Sequence, residues 1–263
     1  MNRAMRTAAA GMLAQQLNVD TIAHNLANVN TTGFKKSRAE FQDLMYQTLR
    51  ASGGSATNSL RETNEIQIGT GTTPAATQKS FIQGDLQTTS NPLDLAISGE
   101  GFFQIRRPDG TIAYSRDGSF KLSADGTIVT SQGYVVEPGV SISSDAKDVA
   151  ISRDGVIEAR EGTADAPTRI GQIELARFVN VAGLKAIGNN LFVETPASGQ
   201  PIVGTAATEG FGEIQQGYLE SSNVDVVEEM VSMIVAQRAY EINSKTIKTV
   251  EDMLQMANNL KRG

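Results

Sequence analysis

The chain has 263 residues, 40% hydrophobic and 5% aromatic, with no Trp, 25 glycines and a net charge of −6 from 29 acidic and 23 basic residues. That length accommodates one large or two ordinary domains with modest cores. The acidic balance gives no field to attract nucleic acid, and no run reaches the roughly 18 apolar residues of a membrane span. With no cysteine, disulfides, thiolate nucleophiles and cysteine metal sites are excluded, and export to an oxidising compartment costs the chain nothing.

Arg3 and Arg6 precede "TAAAGMLAQQLNVD", which Gln15, Gln16 and Asn18 make too polar for a signal-peptide apolar region, so no cleavable address is expected. Steps of seven from Met5 meet Met12, Val19 and Leu26, and the series three residues on gives Ala8, Gln15, Ile22 and Val29. This narrow heptad seam predicts a helix up to Val29 that calls for another helix as partner. Its end is dense in Asn18, Asn25, Asn28 and Asn30, a polar face suited to packing among copies in register. Gly33 reads as a left-handed C-cap, with Phe34 supplying the accompanying apolar contact. Lys35, Lys36 and Arg38 then read as a solvated or interface cluster complementing the helix dipole.

Between positions 50 and 80 only Leu60, Ile66 and Ile68 are bulky and apolar, which predicts a flexible linker or a segment that orders against a neighbour. From about Leu93 to Val193 the texture is antiparallel β. Asp109-Gly110, Asp117-Gly118, Asp125-Gly126 and Asp154-Gly155 read as hairpin turns between alternating stretches such as Ile112 and Tyr114 or Phe120 and Leu122. Gly99-Glu100-Gly101 reads as a tight turn into a buried strand, since it fails the dinucleotide fingerprint. A second weak stretch, about Thr195 to Phe211, leads to a helix expected from Asn223 to Leu260. Ser222 and Asp225 there resemble a capping box. Val226, Met233, Tyr240, Ile247 and Leu254 step by seven. Ala236, Val250 and Ala257 fall in the companion series, with Glu229 and Asn243 as exceptions. "VVEEMVSMIVA" is apolar on more than one face, a surplus that suggests burial against further subunits.

No residues advertise chemistry. His24 is the only histidine and lacks a nucleophile-elbow partner, and the Asp-Gly turns lack the spacing of a calcium loop. No catalytic, cofactor-binding or metal residues are expected, and the chain is read as a non-enzyme.

Four texts in order carry a family resemblance: "HNLANVNTTGFKKSRAEFQDLMYQ", "GEGFFQI", "YSRDGSF" and "QGYLESSNVDVVEEMVSMIVAQRAYEINSKTIKTVEDML". They resemble the bacterial flagellar basal-body rod and hook proteins, collinearly from about Met5 to Leu260. "YQTLRASGGSATNSLRETNEIQIGTGTTP", from Tyr46 to Pro74, is similar to the insertion of the distal-rod members, clearly at "YQT" and "QIGTG" and less so over Ala51 to Asn64. A proximal rod paralogue is the alternative within the family.

The resemblance implies an α+β fold in which N- and C-terminal helices form a discontinuous coiled-coil domain around a central antiparallel β domain. Its divisions are an N-terminal helix over 1–45, an extended insertion over 46–80, the β domain over 81–210 and a C-terminal helix over 211–263. It further implies an axial subunit exported by the flagellar type III apparatus without a cleaved signal and polymerised into the rod in the periplasm. Partners are then copies of itself, the proximal rod proteins, the hook protein, the surrounding basal-body rings and the export apparatus. The expected self-assembly residues are Met5, Met12, Val19, Leu26, Asn25, Asn28, Gly33, Phe34, Val226, Met233, Tyr240, Ile247 and Leu254.

Overall fold

The computed structural model describes residues 2–50, 66–143, 146–161, 167–208 and 210–260. The chain divides into two compact units. The first comprises Met1–Leu26, Ser37–Gln78 and Val226–Gly263; the second comprises Ala27–Lys36 and Lys79–Asp225.

The first unit contains helix α1 (Asn2–Ala27) and helix α2 (Val226–Leu260). Ala4, Ala8, Ala9, Ala10 and Ala14 favour α1 intrinsically, and no proline interrupts either helix. α1 stops two residues short of Val29. Asn28 opens a turn there, its carbonyl accepting the Thr31 N–H at 3.1 Å and its side-chain oxygen accepting the Thr31 hydroxyl at 3.2 Å. Local side-chain bonding of this kind competes with helix continuation. Gly33 therefore lies six residues past Ala27 and does not cap α1. It does adopt φ +65°, but its N–H goes to the Glu220 carbonyl at 2.8 Å. A Cβ there would lie 2.6 Å from the Asp117 amide nitrogen, so the glycine serves a close backbone approach in the second unit.

α2 begins at Val226 rather than Asn223, with Glu228 and Glu229 in a first turn where carboxylates complement the dipole. The capping box does not form as expected, because the Ser222 hydroxyl is buried without a hydrogen bond. The helix is about 52 Å long.

Strand Ser37–Asp43 pairs with Thr72–Lys79, and Gln47–Arg50 pairs antiparallel with Ile66–Ile68. Leu44 N–H donates to the Gly71 carbonyl at 2.9 Å and the Thr70 hydroxyl to the Met45 carbonyl at 2.8 Å, continuing the ribbon between the two pairings. The described part of the expected linker is thus ordered by backbone pairing with the segment before it, which offsets its poverty in apolar side chains. No residue of Ser37–Asp43 is buried, so no alternation marked it as a strand. Leu60 and the insertion interior over 51–65 lie outside the described residues.

The second unit is antiparallel β. Its main sheet has nine strands, with Phe102–Arg106 central between Ile112–Ser115 and Val135–Val136, and Glu174–Arg177 joining Phe102–Arg106 to Ile202–Thr205. Ala146–Ile151, Val156–Glu161 and Thr168–Gln172 form a three-stranded sheet. The β region extends past Val193, since Glu213–Gln216 pairs with Leu95–Ser98 and Tyr218–Glu220 with Leu86–Thr88. These late strands are short, and the largely exposed Ile202–Thr205 shows no alternation of burial.

The core gathers Leu95, Ile97, Phe103, Phe120, Leu175 and Ile214. Beside it Phe102, Tyr114, Phe178 and Phe192 form a cluster with edge-to-face rings. Gly110, Gly126 and Gly155 turn hairpins at positive φ as their Asp-Gly pairs predict. Gly118 does not. A Cβ at Gly118 would come within 1.6 Å of the Leu95 carbonyl oxygen, so this glycine admits a crossing strand instead of making a turn.

Candidate functional site

The sequence-predicted interface residues fall into three groups. Asn25, Gly33 and Phe34 are buried within the chain. Met5, Met12, Val19, Leu26, Asn28, Met233, Ile247 and Leu254 are half-buried, while Val226 and Tyr240 are exposed. Val19 and Tyr240 share a groove of about 410 Å³ with Gln16, Gln237 and Glu241.

α1 and α2 run antiparallel. The position a Cβ would take on Gly11 is 2.9 Å from the Asn243 amide nitrogen, and at the other end Asn25 meets Glu229. The Asn25 side chain, 2% exposed, is fully engaged. Its oxygen accepts the Ser37 N–H at 2.9 Å, and its Nδ2 donates to the Ser37 carbonyl at 2.8 Å and to Glu229 Oε2 at 3.3 Å. The α2 column facing α1 is thus the companion series. Glu229, Ala236 and Val250 are its buried members, and the exceptions Glu229 and Asn243 are the points of contact. The signal for this was their spacing of two heptads within one column, a pattern that polar register residues share.

On the opposite side of α2, Val227, Met230, Val231, Ile234 and Val235 form a continuous apolar face, with Val227 71% and Val235 63% exposed. The ribbon of the same unit exposes Met45 at 88%, together with Tyr46, Leu49 and Ile66. Contiguous exposed apolar patches of this kind mark contact surfaces.

Lys35 overturns its sequence reading as a solvated or interface residue, for it is the largest fully buried side chain of the second unit. Its Nζ lies 2.5 Å from Glu220 Oε1 and donates to the Ile82 carbonyl at 2.7 Å. Arg116, also buried, reaches Glu220 Oε2 at 3.5 Å and donates to the Gly99 carbonyl at 2.7 Å, and the Gly84 N–H donates to Glu220 Oε1 at 2.9 Å. Burial pushes the Lys35 ammonium pKa down against the opposing pull of Glu220. Asn223 completes the junction, accepting the Lys36 N–H at 2.8 Å and donating to the Ser80 and Ile82 carbonyls at 2.9 and 3.0 Å. The opening loop "TTGFKK" is therefore sewn into the β unit. Nothing in its local text reveals this, because its partners lie far along the chain.

Among the described residues no group of His, Cys, Asp or Glu is placed to hold a metal ion, and no helix is long and apolar enough to cross a membrane.

Three family models match: the flagella basal body rod protein over residues 5–35, the flagellar hook protein FlgE/F/G D1 domain over 96–159, and the flagellar basal body rod FlgEFG protein C-terminal region over 215–260. The chain is 56% identical to the flagellar basal-body rod protein FlgG of Borreliella burgdorferi, covering 100% of both chains. It is 48% identical to FlgG of Agrobacterium fabrum over 98% of this chain and 100% of that one, and 40% identical to FlgG of Bacillus subtilis over 100% of both. The helices, the central β region and these full-length relatives agree: the chain belongs to the flagellar basal-body rod and hook protein family, as a structural protein of the rod and not an enzyme.

Proposed function

We propose that this chain is a subunit of the distal rod, polymerising helically through its terminal helices into a rigid drive shaft that carries motor torque to the hook. The observation that carries the reading is the apolar face Val227, Met230, Val231, Ile234 and Val235 on α2, turned away from α1. A two-helix pair needs one stripe per helix, and a second stripe of five large apolar side chains is accounted for by the helices of further copies. In this reading the pair is the coiled-coil layer of the rod, with Met5, Met12, Val19, Leu26, Met233, Ile247 and Leu254 flanking its seam.

The ribbon supports the distal assignment. Its exposed Met45, Tyr46, Leu49 and Ile66 offer a contact that adds resistance to sliding between neighbouring copies. The proximal rod proteins, the hook protein and the basal-body rings are the further neighbours of such a shaft in the periplasm, reached through the flagellar export apparatus without a cleaved signal.

Deletion of 46–66 tests the distal assignment. It is expected to leave a soluble chain that forms curved polymers or none by electron microscopy, and straight rods of unchanged stiffness would overturn it.

A further inference from the structure

A seam that repeats every seven residues is degenerate. Sliding one helix by a heptad regenerates most of its apolar contacts, so something else must choose the register. In α2 two polar residues interrupt the apolar column, Glu229 and Asn243, and each meets a residue of α1 suited to it. The buried amide of Asn25 donates to Glu229 at 3.3 Å, and Gly11 leaves room for the Asn243 side chain, 2.9 Å from where a Cβ would stand. The two contacts are two heptads apart on both helices. One antiparallel register therefore satisfies both, and it sets Asn18 opposite Ala236 in the same columns and Gln15 opposite Ala239 in the neighbouring ones.

We infer that Asn25–Glu229 and Gly11–Asn243 form a two-point register lock, and that Asn25 simultaneously pins the root of the ribbon through its paired bonds to the Ser37 backbone. A slip of one heptad in one direction strands the Asn25 amide against Ala236 with no acceptor for its second hydrogen. The opposite slip sets the half-buried Asn243 against the Ala4 methyl, leaves a gap between Gly11 and Ala236, and moves Glu229 from the buried Asn25 to the half-buried Asn18. Both slips part the buried Asn25 amide from Glu229, and a buried polar group left unpartnered is the condition that costs most in an interior. The lock fixes the outward apolar face of α2 relative to the ribbon in every copy of the chain, a requirement for identical subunits to repeat. It deepens the proposed function, yet it rests only on the pairing of α1 with α2.

The native chain contains no cysteine, so engineered pairs report without background. Three full-length double variants share Gln15→Cys, combined with Ala239→Cys for the native register and with Ser232→Cys or Thr246→Cys for the two slips. Intramolecular disulfides formed under mild oxidation are read by peptide mass spectrometry. The native pair is expected to exceed either slipped pair about tenfold or more, because each slip leaves a buried polar group unsatisfied.

In an Asn25→Leu/Glu229→Leu background the preference is expected to fall to about threefold or less, since the bond that distinguishes the register is gone from both sides; the Ser37 N–H and carbonyl also lose Asn25 there, so helix content is measured alongside. A native preference that survives in that background, or slipped pairs forming as readily in the unaltered one, would overturn the lock. If the leucine pair loses helix signal, Asn243→Ala takes its place. An undiminished preference there overturns the lock as well, and a weakened one supports it. The disulfides lie within one chain, so failure to polymerise leaves this readout intact.

Discussion

The two units bury polar groups in opposite circumstances. In the β unit Lys35, Arg116 and Glu220 sit inside a completed core, paired with one another and with carbonyls and amides so that only Arg116 Nε among their polar atoms is buried without a partner, and the large apolar side chains are mostly enclosed. In the helical unit the polar contacts at Asn25 and Asn243 stand in a thin seam, while a larger apolar face remains exposed. The difference teaches where each unit finds its stability. The β unit completes itself, and the helical unit keeps back apolar area for other chains, consistent with helices gaining most of their stability from packing.

The comparison breaks most visibly at Glu220. Glu220→Ala leaves two buried cations without their counter-ion, an expected loss of about 3–5 kcal/mol, read by urea denaturation of the β signal. A loss under about 1 kcal/mol would contradict the enclosed knot, being within the range of an exposed pair. Gly33→Ala comes next, at about 1–3 kcal/mol, because it combines positive φ with a backbone clash. A neutral outcome would mean the loop is not held against Asp117.

Ile234→Lys in the helical unit sharpens the contrast. Chain stability should change by no more than about 0.5 kcal/mol, as for an exposed position, while polymerisation is lost by light scattering. Destabilisation without an assembly defect would reverse the roles given to the two faces of α2.

The smallest effect is one of pH. Lys35 and Lys79 both have folded-state pKa values lowered by burial from their ordinary 10.5. Between the lowered values and 10.5 the unfolded chain binds more protons, so stability rises with pH in that window and is flat below it. The urea midpoint should therefore increase as pH is raised through the window up to about 10, and a decrease would contradict the burial of these lysines. Above that, Tyr114, with its phenol pushed up to about 12, acts in the opposite direction.

The two helices and three of the four Asp-Gly hairpins were legible because they depend on local spacing. Heptad columns and turn residues announce themselves within a few positions. The Asn28 turn that ends α1 early uses residues already noted as asparagine-rich, but which of them would halt the helix depended on where Thr31 fell. Lys35 and Gly118 were opaque for another reason. Their roles come from Glu220 and from Leu95, remote in sequence, and a lysine beside another lysine looks like solvent-facing charge. Glu229 and Asn243 were visible as irregularities, yet only the partner helix turns an irregularity into a contact. The ribbon was missed because exposed two-stranded pairing leaves no alternation to read.

The most direct test of the account is electron microscopy of the purified full-length chain at rising concentration, beside a Val231→Lys/Ile234→Lys variant of equal stability. The account predicts straight tubes from the native chain and dispersed particles from the variant at every concentration reached. Equal assembly by both would contradict it, moving the contact between copies away from the outer face of α2.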